Sequence, residues 1–309
     1  MSRVLQLGPV ALFSMLAGTS AIIVGGPILF FFFKPWLPQD SWMGLGALSA
    51  SWTGGSANMI AVKEAIGVPE TLFSVMVIVD SIVCYVWMGI VIELSSFQQS
   101  YDRWNRSRME WLEEVPQKRS EYPEGIATFH KTGIAVTLPH ITFFQILLPV
   151  FLGLVLGELA ILLGQNTTGA VLIATLFGIV LSFVKIPMLD LKKAEKIGYF
   201  LLYLLLASIG ARADLAGIFK APVYLIFGFS WILFMGLILF TVGKIFRIPL
   251  FFLAAASQAN VGGTASATMV AAVYQPHLAY VGLLLAILGN VFGTYLGIGV
   301  SHLMKWIAG

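Results

Sequence analysis

Most of this chain consists of apolar runs long enough to cross a lipid bilayer, and that leaves little choice of fold. A helix needs about 20 apolar residues to span the hydrocarbon core. About nine such segments can be marked, at 8–33, 42–66, 71–94, 142–163, 169–184, 197–212, 221–243, 249–274 and 278–303. Lipid offers no partner to a free backbone N–H or C=O, so spanning elements are helices or closed barrels. Barrel strands would alternate apolar and polar residues in short segments, and that pattern is absent. The expected fold class is an all-α polytopic membrane protein. Composition agrees, with 58% hydrophobic and 11% charged residues, against roughly 25% charged in a soluble domain. A soluble enzyme, a nucleic-acid binder and a disordered chain are thereby disfavoured. The net charge of +3 is too small a bias to call for nucleic acid. Cys84 is the single cysteine, so no internal disulfide can form.

Charge gathers in two polar stretches. The first, 96–141, carries Arg103, Arg106, Arg108, Lys118, Arg119 and Lys131 among several carboxylates; the second, 185–196, carries Lys185, Lys192, Lys193 and Lys196. Two spans separate these stretches, so they share a side, and basic loops stay in the cytoplasm, so both are expected there; a bacterial inner membrane is the expected location. The longer stretch reads as a solvated linker with a short amphipathic helix near Trp104–Val115. The chain then divides into 1–95, the linker 96–141, and 142–309, the last split into 142–215 and 216–309.

Self-comparison exposes a repeat. Gly54-Gly55-Ser56-Ala57-Asn58 aligns with Gly262-Gly263-Thr264-Ala265-Ser266 at an offset of 208. In the next helix, at an offset of 210, Asp80 meets Asn290, Tyr85 meets Tyr295 and Gly89 meets Gly299. The first three segments therefore resemble the last three, and inverted repeats are the arrangement expected of a transporter. Segments four to six have no upstream counterpart. The first repeat is then incomplete, and about three N-terminal helices are expected to be missing relative to a full two-repeat carrier. Charge counting does not decide whether the Gly-Gly segments cross the bilayer or re-enter it.

The Gly-Gly segments are the candidate site. Thr53, Gly54, Gly55, Ser56 and Asn58 form one cluster, and Gln258, Asn260, Gly262, Gly263, Thr264 and Ser266 the other. Adjacent glycines weaken a helix and free carbonyls and amides. Irregular backbone at membrane depth survives only in protein or beside water. An unwound helix offers carbonyls to a cation, and the half-helix after it offers amides to an anion. The competing explanation is close helix packing through small residues. Asp80, near the middle of the third segment, demands a function or a partner. It can ligate Na+ or carry H+, or form an ion pair with Lys63; Asn290 is its neutral match. A Na+ site built from Asp80, Asn58 and Asn260 is the candidate metal site. Glu64 reads equally as an interfacial or a site residue, Glu93 as a membrane-edge charge, and Glu158 and Asp214 as structural or interfacial. The histidines His130, His140, His277 and His302 have no metal-ligand spacing.

These residues bring a resemblance into view. The chain resembles the uncharacterised integral-membrane family catalogued as domain of unknown function 819. The resemblance is carried by Gly54-Gly55-Ser56-Ala57-Asn58, by Leu201-Leu202-Tyr203-Leu204 with Gly210-Ala211-Arg212-Ala213-Asp214-Leu215, and by Ser257-Gln258-Ala259-Asn260-Val261-Gly262-Gly263. Members have an Asp-Asn pair where this chain has Asp80-Ser81. More distantly, Gly262-Gly263-Thr264-Ala265-Ser266 is similar to a stretch of the bile-acid/sodium symporter and cation-proton antiporter clan. That similarity implies crossing broken helices, a panel-plus-core architecture and sodium- or proton-coupled transport.

The function expected is secondary active transport of a small organic solute, an anion by preference, with Na+ or H+ as coupling ion and no other cofactor. The partners expected are the bilayer, the solute and a second copy of the chain in a homodimer. A non-transporting scaffold or inactive truncated carrier is the rival reading. An enzyme is disfavoured because no acid–base or metal cluster is visible.

Overall fold

The computed structural model describes residues 8–114, 143–164, 167–181 and 222–309. Every regular element among them is helical. Two compact units are present, one formed by Met1–Pro116 with Arg212–Gly309, the other by Gln117–Ala211. In the second unit, α7 (Phe143–Gly164) packs on α8 (Thr167–Leu181). Glu158 is exposed on α7. Asp214, the 185–196 stretch and the sixth apolar segment lie outside the described residues.

The first unit holds α1 (Pro9–Phe33), α2 (Ser41–Gly54), α3 (Ser56–Ile66), α4 (Glu70–Glu93), and the short α5 (Gln98–Asn105) and α6 (Glu110–Glu114). After the second unit it continues with α9 (Pro222–Phe246), α10 (Leu250–Val261), α11 (Thr264–Tyr274) and α12 (Ala279–Ala308). Four stretches built on α1, α4, α9 and α12 are long and apolar enough to cross a membrane: Pro9–Trp36, Glu70–Asn105, Pro222–Phe246 and Pro276–Ala308. Their outward faces carry Leu16, Phe31, Phe32, Tyr85, Leu233 and Leu237 in the open. Such apolar exposure suits lipid and would be a liability in water. The protein is accordingly an integral, multi-pass membrane protein.

Proline and glycine set the helix ends. Pro9 opens α1, where its missing N–H costs nothing. Gly67 closes α3 in the left-handed conformation at φ 71°, with Val68 N–H bonded back to Lys63 O at 3.0 Å. Pro69 and Pro249 then cap α4 and α10.

Side-chain contacts give the direction of each helix. Along α1, Phe13 meets Phe246, Gly18 lies beside Leu239, Trp231 Nε1 donates to Ile22 O at 3.0 Å, and Phe33 meets Phe227. α1 and α9 are therefore antiparallel. Gly228 lies beside Val79 and Val83 while Gly236 lies beside Trp87, so α4 runs parallel to α9. Met15 approaches Gly289 and Gly26 approaches Met304, so α12 runs parallel to α1.

The shorter helices fold back on themselves. A Cβ added to Gly289 would meet Thr53, one on Gly293 would meet Gly54 and Asn58, and one on Gly297 would meet Ala50 and Val62. Ser301 lies against Gly46. Along α12, contacts thus descend α2 while they ascend α3, and the two arms are antiparallel. In the second pair, Tyr274 at the end of α11 donates to Val91 O at 2.6 Å and lines one cavity with Leu250 and Leu253 from the start of α10. That pair folds back as well. The crossing geometry implied by the distant symporter resemblance is replaced here by two hairpins, hairpin 1 (α2–α3) and hairpin 2 (α10–α11).

The first residues of the polar linker belong to this unit. Asp102 Oδ1 accepts the Leu250 N–H at 3.0 Å, at the start of α10. Asn105 Nδ2 donates to Gly243 O at 3.1 Å and Ile248 O at 3.2 Å in the α9–α10 turn. Both side chains are buried. Residues 98–108 are thus a strap over the base of hairpin 2, built from polar groups that composition alone marks as solvated.

Candidate functional site

Both hairpin tips turn on the second glycine of their pair. Gly55 has φ 83° and ψ 173°; Gly263 has φ 87° and ψ −173°. This region of backbone space is essentially reserved for glycine. Each arm before the tip closes with an i−4 bond, Gly55 N–H to Ser51 O at 2.6 Å and Gly262 N–H to Gln258 O at 2.8 Å. Each arm after it restarts at once, with Asn58 N–H on Gly55 O and Ala267 N–H on Gly263 O. The first amides of α3 and α11 have no partner within their own helices. Ala57 and Ala265, at matched positions on the tips, are exposed, although the arms behind them are buried.

Around these tips the expected site residues divide into separate groups. Asn58 is a buried clip: its amide donates to Gly54 O and Asn290 O, and its carbonyl accepts from Thr294 Oγ1. Hairpin 1 is thereby fastened to α12. The side-chain oxygen of Asn290 lies 3.2 Å from the point where a Cβ on Gly55 would sit. Asn260 clips hairpin 2 to α1, donating to Ala256 O and Met15 O and accepting from Thr19 Oγ1 at 2.7 Å. The hydroxyls of Thr53 and Ser266 donate to backbone of their own helices or tip. α10 packs against α2. The nearest neighbours of Gly54, however, are Gly293 and Asn58, and those of Gly262 are Ser266 and Gln258, so neither Gly-Gly pair seats directly on the other.

Asp80 is half-buried on α4 and accepts from Ser51 Oγ at 2.9 Å and Trp52 Nε1 at 2.8 Å. Both donors lie in the last turn of α2, beside the tip of hairpin 1. The anticipated ion pair with Lys63 is not formed. Lys63 Nζ bonds Glu64 at 2.9 Å and Glu70 at 2.6 Å, and among the described residues no cation comes within ion-pair distance of Asp80. One turn beyond Asp80, Cys84 Sγ lies 3.9 Å from Gln258 Nε2 on α10. Gln258 is fully buried, and its Oε1 has no hydrogen-bond partner. Ser51 and Trp52 thus tie α2 to Asp80 on α4, and one turn along α4 Cys84 meets Gln258 of α10.

The oxygens that suit a hard cation are the Asp80 carboxylate and the orphan Gln258 carbonyl. Leaving that buried carbonyl unpaired costs about 1–3 kcal/mol, which a cation or water would offset. The carbonyls of Asn58 and Asn260 already accept from threonines on different helices, so they fit the expected Na+ set poorly. Sequence reasoning did not single out Ser51, Trp52, Cys84, Thr19 or Thr294. Thr294 was within reach, since it follows Asn290 by one turn and so shares its face.

Comparison with known proteins places this arrangement in a family. The sequence model described as "Protein of unknown function (DUF819)" matches residues 1–307. The chain belongs to the DUF819 family. It is also similar to a protein of Bacillus subtilis (strain 168) described as "Uncharacterized membrane protein YjcL", with 28% identity over 310 residues, covering 93% of this chain and 74% of the relative. No solved structure matches. For this DUF819 chain, membrane residence is thus supported by helix length, apolar exposure and kinship together.

Proposed function

We propose that this DUF819 protein is a secondary active transporter, coupled to Na+ or H+, that carries a small organic solute, an anion by preference. The observation that carries the reading is the pair of matched tips. Gly55 and Gly263, 208 residues apart, turn with nearly the same dihedrals, and each restarts a helix whose first residues are partly exposed. Two half-helix N-termini in corresponding positions suit a carboxylate or phosphate group on a solute. Asp80 beside one tip supplies the charge that makes cation binding favourable, with Gln258 Oε1 as its neutral helper. Asp80 protonation is the H+ form of the same coupling. Binding of ion and solute would stabilise one another reciprocally.

Inverted repeats are part of this reading. The antiparallel course of α1 against its sequence match α9 supports them, as does the return of each hairpin to the side it came from. Each repeat would comprise a spanning helix, a re-entrant hairpin and a second spanning helix. The end carrying α5, Lys244 and Arg247 would face the cytoplasm of a bacterium, in line with the positive-inside rule. The linker 96–141 would lie on that side.

Gradient-driven uptake into proteoliposomes tests the function. Asp80→Asn keeps an acceptor for Trp52 and offers Ser51, whose hydroxyl can also accept, an amide donor in place of the carboxylate oxygen, so the fold should persist while coupling is lost. Full uptake by this variant under an ion gradient would sink the coupling assignment. A wild-type chain that moves no solute under any Na+ or H+ gradient would favour the scaffold reading.

A further inference from the structure

We propose that the face formed by α4, α9 and α10 binds a phospholipid from the bilayer, with one acyl chain beside hairpin 2 and an anionic headgroup at Arg103 and Lys244. A cavity of about 380 Å³ lies there, within the 300–1,000 Å³ usual for small-molecule sites. Its floor is Trp87, Leu253, Ala254 and Ser257, and its rim includes Leu237 and Phe240. The rim residues are well exposed on spanning helices, so the cavity opens towards lipid rather than water. Glycine shapes the floor, because a Cβ on Gly236 would press to 2.7 Å from the Trp87 ring.

One end of this groove is polar. Tyr274 lines it and also lines a second cavity of about 630 Å³, whose walls include Gln98, Gln99, Asp102, Arg103 and Gln275. An apolar trough that meets a polar basin at a shared tyrosine matches an amphiphile lying along the membrane normal. The charge at the basin favours an anionic head. Arg103 is exposed and spends its Nε on Gln99 O at 3.3 Å. Lys244 sits 3.5 Å over the Trp104 ring, and Trp104 stacks on Phe240 at the groove rim. Neither cation has a carboxylate within ion-pair distance among the described residues. The nearby Asp102 carboxylate is committed to the Leu250 amide. Unpaired Lys and Arg beside interfacial aromatics attract anionic lipid.

A lipid held here would touch the outer arm of hairpin 2 along Leu250, Leu253 and Ser257, so its presence would bear on how freely that hairpin moves. The proposal stands apart from the transport reading and is tested without it. The full chain is reconstituted in nanodiscs of equal parts phosphatidylglycerol and phosphatidylcholine and examined by native mass spectrometry. The wild type should retain phosphatidylglycerol several-fold over phosphatidylcholine. Arg103→Gln with Lys244→Gln should bring that ratio to the bulk value while lipid is still retained. Ala254→Phe, which fills the floor, should lower total retention several-fold. Leu237→Trp narrows the mouth from an exposed position, so it should lower retention even if Ala254→Phe fails to fold. Absence of retained lipid in the wild type, equal retention of both lipids, or unchanged retention in Leu237→Trp would each overturn the proposal.

Discussion

Three glycines offer a test of the hairpin geometry in which space is held constant and only backbone conformation varies. A Cβ added to Gly263, Gly67 or Gly89 would meet nothing within 4 Å. Gly263 has φ 87° and ψ −173°, Gly67 has φ 71° and ψ 43°, and Gly89 lies inside α4. Alanine at Gly263 therefore carries only backbone strain, of about 1–3 kcal/mol for the glycine-only region. At Gly67 the left-handed helical region costs roughly 1–2 kcal/mol. At Gly89 alanine should stabilise, by about 0.5–1 kcal/mol, through helix propensity. The three variants should thus span roughly 1.5–4 kcal/mol, with Gly89→Ala more stable than wild type and both Gly67→Ala and Gly263→Ala less stable. Equilibrium unfolding of the purified protein in mixed micelles, followed by circular dichroism, reads the order directly. If Gly263→Ala matched wild type, the sharp turn at the tip would be wrong and α10 would run on into α11. If Gly89→Ala were the most damaging, the packing assigned to α4 would be wrong.

Other consequences follow from single contacts. Thr294→Val removes the donor to the buried Asn58 carbonyl and should cost about 1–3 kcal/mol; in an Asn58→Ala background the same change should cost clearly less, as a double-mutant cycle would measure. Asp102→Ala removes the acceptor for the first α10 amide and should destabilise by about 0.5–2 kcal/mol, with hydrogen exchange rising first at the base of hairpin 2. Unchanged exchange there would mean that the 98–108 strap does not hold the hairpin.

Parts of this arrangement were legible in the sequence because glycine carries conformational meaning. The 208-residue offset pairs Gly55 with Gly263, and these are the two tips. The direction of the arms was not legible. A helix that crosses and a hairpin that returns bury the same apolar residues, and the few flanking charges fit either path. Lys63 as partner for Asp80 failed for a related reason. On a returning arm, Lys63 lies eight residues past the tip, roughly 12 Å along α3 at 1.5 Å per residue. It arrives at the hairpin base, beside Glu70 at the start of α4. Asp80 lies ten residues further along α4, roughly 15 Å deeper, where only the end of α2 can reach it. Asp102 and Asn105 were hidden differently: both look like linker polarity, and only the unpaired groups of the α9–α10 turn and the start of α10 explain why they are buried.

The two hairpins are matched in backbone but not in setting. Hairpin 1 is keyed into α12. Gly54 and Gly293 are in backbone contact, with a Cβ on Gly293 placed 2.6 Å from Gly54 Cα, and Asn58 is bonded to α12 through Asn290 and Thr294. Asp80 adds two more bonds from α4 to the same hairpin. Hairpin 2 is held by other neighbours: Asn260 bonds Met15 and Thr19 on α1, and Gly282 of α12 lies against the Ala267 backbone, while a Cβ on Gly263 would meet nothing within 4 Å and Gln258 Oε1 has no partner. Displacing hairpin 1 would break a close-packed glycine interface and several buried hydrogen bonds. Displacing the tip of hairpin 2 would break the Asn260 bonds to α1 and the Gly282–Ala267 contact, while its base is held by Asp102, Asn105 and Tyr274. The two hairpins are thus anchored to different helices, hairpin 1 to α4 and α12, hairpin 2 to α1 and α12.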